Sequence, residues 1–190
     1  MRSSGSTRSL PEPPIRLGLV LVGDDHPRAC TGRRLIRYGL ARKVPRSATS
    51  RGPAIVLDPY ASVPLSPADR ARAEAGGIVA VDCSWNRLAD DHATREVAAK
   101  ASGSSRGRRL PMLVAANPQH YGRLGELNTV EALAAALYLV GRPEAAHRLL
   151  AGFAGGPAFL ELNRARLARY AHAASPEDVV RAERSLFSRS

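Results

Sequence analysis

Residues 81–85, Val-Asp-Cys-Ser-Trp, close a short apolar run and bring a carboxylate, a thiol, a hydroxyl and the single tryptophan together. Ligands of α/β sheets bind beyond the carboxyl ends of buried strands, so Asp82 and Trp85 are the first candidates for a site. Other chemistries lack their residues. The five histidines are scattered, with no His-Glu-x-x-His pair and no nucleophile elbow, which removes support from metal and serine hydrolases. Neither the glycines at 18 and 23 nor those at 122 and 125 form a dinucleotide fingerprint, and no Walker A loop is present. Cys30 and Cys83, the only cysteines, lack paired spacing for zinc and read as small buried hydrophobes in a reducing compartment; no metal is expected.

Charge points to the partner. Lys and Arg number 28 against 17 Asp and Glu, a formal net charge of +11, so an anionic partner is expected. Lys43 and Lys100 are the only lysines, and arginine bonds phosphate through two N–H groups and stacks on bases, which favours RNA over a membrane. Two clusters stand out as phosphate-facing patches: Arg33, Arg34 and Arg37, continuing through Arg42, Lys43, Arg46 and Arg51, and then Arg106, Arg108 and Arg109. Aromatic residues make up only 5%, and no strand interleaves Phe with Tyr, so RNA contact is expected to be mostly electrostatic rather than a base-stacking platform.

The elements that must position these residues alternate. Apolar runs at 15–22, 54–57, 78–81 and 110–116 read as strands. Thr31 stands as N-cap before a helix over 32–42, and Ser66-Pro67-Ala68-Asp69 caps a surface helix that stops at Gly76 and Gly77. A poorly patterned helix over 88–101 leads into a flexible basic loop at 102–109. Thr129 is placed to cap an apolar helix with Glu131 in its first turn. Helices over 143–153, 158–173 and 176–187 follow. The pattern predicts an α/β fold with a mostly parallel sheet and a helical C-terminal part packed on it. Residues 1–14 read as a disordered tail without a signal peptide, and no run approaches the roughly 18 apolar residues of a membrane span.

Four ordered stretches carry a resemblance. They are Ala29-Cys30-Thr31-Gly32 with Arg33 and Leu35; Leu65-Ser66-Pro67 with Asp69; residues 81–85; and Leu110-Pro111 through Ala115-Ala116-Asn117-Pro118, Tyr121-Gly122 and Thr129-Val130-Glu131-Ala132. Phe153, Phe159, Asn163 and Tyr170 add a weaker fifth. Over residues 15–172 the chain resembles the small-subunit rRNA aminocarboxypropyltransferase family. It departs where that family carries Asp-Pro, since this chain reads His26-Pro27.

The resemblance implies a SPOUT-like fold with a deep trefoil knot, although knots run against general topology rules. Residues 15–101 would form an N-terminal α/β part, and residues 102–190 a knot-forming, cofactor-binding and helical part of the same enzyme. It implies transfer of the 3-amino-3-carboxypropyl group of S-adenosylmethionine to N3 of an N1-methylated or unmethylated pseudouridine in small-subunit rRNA, releasing methylthioadenosine. Positions matching the family's cofactor site are Thr31, Val81, Leu110, Gly125 and Thr129: hydroxyls for the polar tail, apolar walls and backbone groups for adenine. Asp82 has two readings, a carboxylate that accepts or steers the N3 proton and a strand-end cap of backbone N–H groups. Trp85 likewise packs either on the cofactor or target base or in the core. Asn117 is expected to fix the loop through backbone groups. The implied setting is a cytoplasmic monomer acting on rRNA or a pre-ribosomal particle. A SPOUT-type RNA methyltransferase and a non-catalytic rRNA-binding assembly factor are the alternatives.

Overall fold

The computed structural model describes residues 14–21, 31–82 and 105–188. His26, Trp85 and the helix expected over 88–101 lie outside the described residues. Among the described residues five strands form one parallel sheet: β1 (Leu17–Leu21), β2 (Arg42–Lys43), β3 (Ile55–Leu57), β4 (Ile78–Asp82) and β5 (Gly107–Arg108). Their spatial order is β2-β1-β4-β3-β5. Seven described helices accompany them: α1 (Thr31–Arg37), α2 (Arg70–Gly76), α3 (Thr129–Leu139), α4 (Pro143–Leu150), α5 (Gly156–Leu162), α6 (Arg164–Ala171) and α7 (Pro176–Phe187). Among the described residues no helix is long and apolar enough to cross a membrane.

The sheet is parallel because its strands are joined by crossovers, and its middle strands are therefore apolar on both faces. β4 lies between β1 and β3, with Leu21 opposite Asp82 at the carboxyl end. Alternation sends Leu19, Ile78 and Ala80 into the main core, while Val20 and Val79 form a small cluster on the opposite face with Val44, Ala54 and Val81. α3 is buried almost all round, from Val130 to Leu139, because it packs on β4 and α1 and is itself covered by α4, α5 and α6.

Residues 110–116 were expected to form a strand, yet they join no ladder beyond isolated bridges at Arg109 and Val114. Side chains from three helices and from the α5–α6 junction take the place of a neighbouring strand. Met112 N–H donates to Glu183 at 2.8 Å, and the Met112 carbonyl accepts from the Tyr170 hydroxyl at 3.2 Å. The Asn163 amide exchanges two bonds of 2.8 Å with Val114, as a strand residue would. Ala116 N–H donates to Glu131 at 2.8 Å. The loop closes the rest on itself, with Ala115 bonded to Gly122 and Arg123, and Gly125 N–H to the Leu113 carbonyl. Hydrophobic patterning cannot distinguish this extended run from a strand, because both bury the same residues.

Other boundaries moved for local reasons. α3 is capped by Asn128, not Thr129: the Asn128 side chain accepts from Glu131 N–H, and the Glu131 carboxylate accepts from Asn128 N–H, each at 2.9 Å. The helix expected over 32–42 ends at Arg37, where Gly39 turns the chain (φ 68°) into β2. The single helix expected over 158–173 breaks at Asn163, whose side chain bonds Val114 and the Phe159 carbonyl. The basic stretch before Leu110 is no free loop in its described part, since it contains β5.

Glu131, 1% exposed, accepts from Ala116 N–H, Asn117 Nδ2 (2.7 Å) and Asn128 N–H, tying the loop to α3. Replacing it strands three donors, so Glu131→Ala should cost about 3–5 kcal/mol and Asn128→Ala only about 1 kcal/mol in urea unfolding. Burial pushes the Tyr170 phenol up to about 12. The folded state therefore holds this proton more tightly than the unfolded chain, so stability is full below pH 10 and falls as pH rises from 10 to about 12. Melting temperatures across that range should drop more steeply for the wild type than for Tyr170→Phe.

Candidate active site

The carboxyl end of β4 is where two helices converge. Asp82, 8% exposed, accepts a hydrogen bond from the Thr129 hydroxyl at the start of α3. Gly32, in the first turn of α1, packs so closely on the same carboxylate that a Cβ there would stand 2.5 Å from Asp82 Cγ. Helix N-termini carry partial positive charge, so the carboxylate lies where two of them meet. Gly32, Asp82 and Thr129, drawn from three distant stretches of chain, thus share one place, and Thr31 precedes Gly32 at the start of α1. The Thr129 hydroxyl donates to Asp82, which leaves only its lone pairs for another partner.

The remaining positions divide. The Val81 side chain projects to the opposite face, against Val20 and Val79, so only its peptide groups reach the strand end. Leu110 is half-buried against the main core. Gly125 sits at φ 81° with its N–H committed to the Leu113 carbonyl, leaving its carbonyl for other contacts. Asn117 does bond its own loop: its amide donates to Glu131, and its side-chain carbonyl accepts from His120 N–H at 3.0 Å.

The arginines separate into internal and surface groups. Arg108 pairs with buried Asp69 at 3.0 Å. Arg109 grips Glu183 with two bonds, of 2.9 and 2.6 Å, and that carboxylate raises the pKa of the guanidinium. Arg106 donates to the carbonyls of Thr49, Arg51 and Ala54. All three were expected to face phosphate; in the structure each also makes contacts within the chain that hold β5 and residues 109–112 in place. The first cluster is different. Arg34 lies 4.8 Å from the centre of the Phe153 ring and donates to the Gly152 carbonyl, while Arg37 lies 5.3 Å from the centre of the exposed Tyr38 ring. Arg37, through its hydrogen bond, and then Arg34 lower the Tyr38 phenol below its ordinary range. Arg33 is half-buried on the same helix.

Sequence reading missed Glu183 and the Tyr38–Phe153 pair. Glu183 was detectable as a carboxylate four residues after Val179 on the buried side of α7. Nothing local signals that Tyr38 and Phe153, far apart in the chain, meet edge to face at 6.1 Å.

The class defined is a parallel α/β protein with a buried, helix-flanked carboxylate at the carboxyl end of its central strand, where α/β sheets commonly bind ligands. A family model described as "Ribosome biogenesis protein, C-terminal" matches residues 55–187. The 16S rRNA aminocarboxypropyltransferase of Methanopyrus kandleri is 44% identical over 160 residues, covering 84% of this chain and 91% of that protein. That of Vulcanisaeta distributa is 40% identical over 156 residues, 82% of each. A solved structure of the SAM-dependent rRNA:acp-transferase Tsr3 from Vulcanisaeta distributa has a TM-score of 0.73 and 34% identity, covering 92% of this chain and 98% of that one. The chain belongs to the rRNA aminocarboxypropyltransferase family.

The Gly32–Asp82–Thr129 contact makes a coupled triplet. Gly32→Ala should push the carboxylate off the hydroxyl and cost about 1–3 kcal/mol. Thr129→Val should then cost less in the Gly32→Ala background than in the wild type, as read by urea unfolding in a double-mutant cycle. Additive losses would mean that Gly32 does not position Asp82.

Proposed function

We propose that this chain transfers the 3-amino-3-carboxypropyl group of S-adenosylmethionine to N3 of a pseudouridine, or its N1-methyl form, in small-subunit rRNA as a step in ribosome biogenesis. The observation that carries the reading is its 40–44% identity, over more than four-fifths of both chains, to proteins named for that reaction. In this reading the chain follows the SPOUT-like, knotted path, with residues 102–190 as the knot-forming, cofactor-binding and helical part. The protein acts as a cytoplasmic monomer on rRNA or a pre-ribosomal particle.

The residues present suit the donor. It carries a sulfonium and an ammonium, and Asp82 offers a buried carboxylate at the strand end. The Thr129 hydroxyl, already donating to Asp82, is left as an acceptor and fits an N–H donor such as an ammonium. Thr31, with the Gly125 carbonyl, Val81 peptide groups and Leu110 side chain, completes the proposed contacts. The donor supplies three carbons on one sulfur, only one of which is to be transferred. Orientation therefore decides the product, and this chain's task is mainly to present the γ-carbon to N3. The N3–Cγ bond forms as the Cγ–S bond breaks; the bonding pair leaves with sulfur as methylthioadenosine, and N3 loses its proton. Asp82, held by Thr129, is the group placed to accept or steer that proton. Trp85, three residues further on, is assigned to the donor or the target base.

Purified protein incubated with small-subunit rRNA and donor labelled in the carboxypropyl carbons should move label to RNA and accumulate methylthioadenosine. Asp82→Asn should lower transfer by about 100-fold or more. Movement of a methyl label with S-adenosylhomocysteine would instead make it a methyltransferase. Absence of donor binding in calorimetry would leave a non-catalytic rRNA-binding factor.

A further inference from the structure

We infer that Tyr38, set on Phe153 and flanked by Arg34 and Arg37, is a stacking platform for an unpaired nucleotide flanking the modified base. The inference rests on the reading that this chain acts on rRNA, and it adds a base-contacting side chain to a surface expected to be mostly electrostatic.

Tyr38 follows the last turn of α1 and is 48% exposed despite its size. Its orientation is fixed from below. Phe153, 6% exposed, meets it edge to face at 6.1 Å and 65°, and the Arg34 and Arg37 guanidiniums lie over the Tyr38 ring, 5.9 and 5.3 Å from its centre. Arg34 locks this pedestal, lying over Phe153 and bonded to the Gly152 carbonyl at 3.2 Å. Arg37 is exposed and reaches the Tyr38 hydroxyl at only 3.5 Å, a contact weak enough to exchange. An arriving base displaces Arg37 from over the ring and stacks in its place, and Arg37 turns to a neighbouring phosphate. Beyond the Gly39 turn, β2 presents Arg42 and Lys43, both exposed, so the platform continues into positive surface.

This chemistry fits a nucleotide. Every base offers a π-face, and stacking on an aromatic ring with cationic neighbours is a sequence-tolerant way to hold single strands. An acidic protein segment would use the guanidiniums but leave the ring without a partner. Position supports the same occupant. Thr31 and Tyr38 lie at opposite ends of α1, about 10 Å apart along a helix of 1.5 Å rise. The end that touches Asp82 and the end that carries the platform are thus one rigid element. Enzymes that act on a base commonly also grip its flanking nucleotides.

The test uses the full chain with two fluorescent probes, a single-stranded oligouridine of about 12 nucleotides and an RNA duplex of the same length. Tyr38→Ala should weaken single-strand binding on the order of 10-fold, with the salt dependence and duplex affinity unchanged. Tyr38→Phe should bind like the wild type. Arg37→Gln should weaken both probes and lower the salt slope by about one. Unchanged melting temperature and S-adenosylmethionine binding identify Tyr38→Ala as folded. If the wild type binds and modifies RNA while Tyr38→Ala binds oligouridine equally well, the platform alone is overturned. Equal losses on single strand and duplex also overturn it. If the wild type binds neither RNA and modifies none, the platform and the rRNA reading fall together.

Discussion

Buried backbone groups must find partners, and in residues 112–116 they find side chains from helices that come later in the chain. Glu131, Asn163, Tyr170 and Glu183 arrive from α3, the α5–α6 junction, α6 and α7 to bond a run that joins no ladder. An ordinary strand would be held by its neighbours in the sheet. This one is held by the packing of four helical segments, so the loop cannot settle until those segments are in place. The same contacts explain why α5 and α6 are two helices, and why a buried carboxylate on α7 is tolerated: it serves Arg109 and Met112 N–H together.

The candidate site inherits its geometry from that arrangement. The loop leads directly into the Asn128 cap and Thr129, whose hydroxyl holds Asp82 against Gly32. A shift of the loop therefore moves the start of α3 and, through Thr129, the carboxylate at the end of β4. The positive charge obeys a similar division of labour. Arg106, Arg108 and Arg109 brace the sheet edge, whereas Arg34 and Arg37 surround an exposed ring on α1. Net charge alone could not separate these roles, because a guanidinium bonds a buried carboxylate as readily as a phosphate.

What was legible in the sequence was whatever depends on short-range pattern. β1, β3, β4, the Ser66 turn, α2 and α7 follow from apolar periodicity and capping residues, and the motifs singled out Asp82 and Thr129, whose side chains the structure shows bonded to each other. What stayed hidden depends on distant partners. Residues 110–116 have the composition of a strand, and only the positions of Asn163 and Glu183 show why they are not one. β2 is two charged residues long and carries no strand signal of its own; it exists because β1 lies beside it. Val81 was placed in the site by motif, but the pleat turns its side chain to the other face.

Native-state amide hydrogen exchange at Met112, Val114 and Ala116 measures the side-chain support of the loop directly. The account predicts that these amides are as protected as those of β4 and open only when the whole domain unfolds. Exchange as rapid as that of an unbonded surface amide, with β4 still protected, would contradict it.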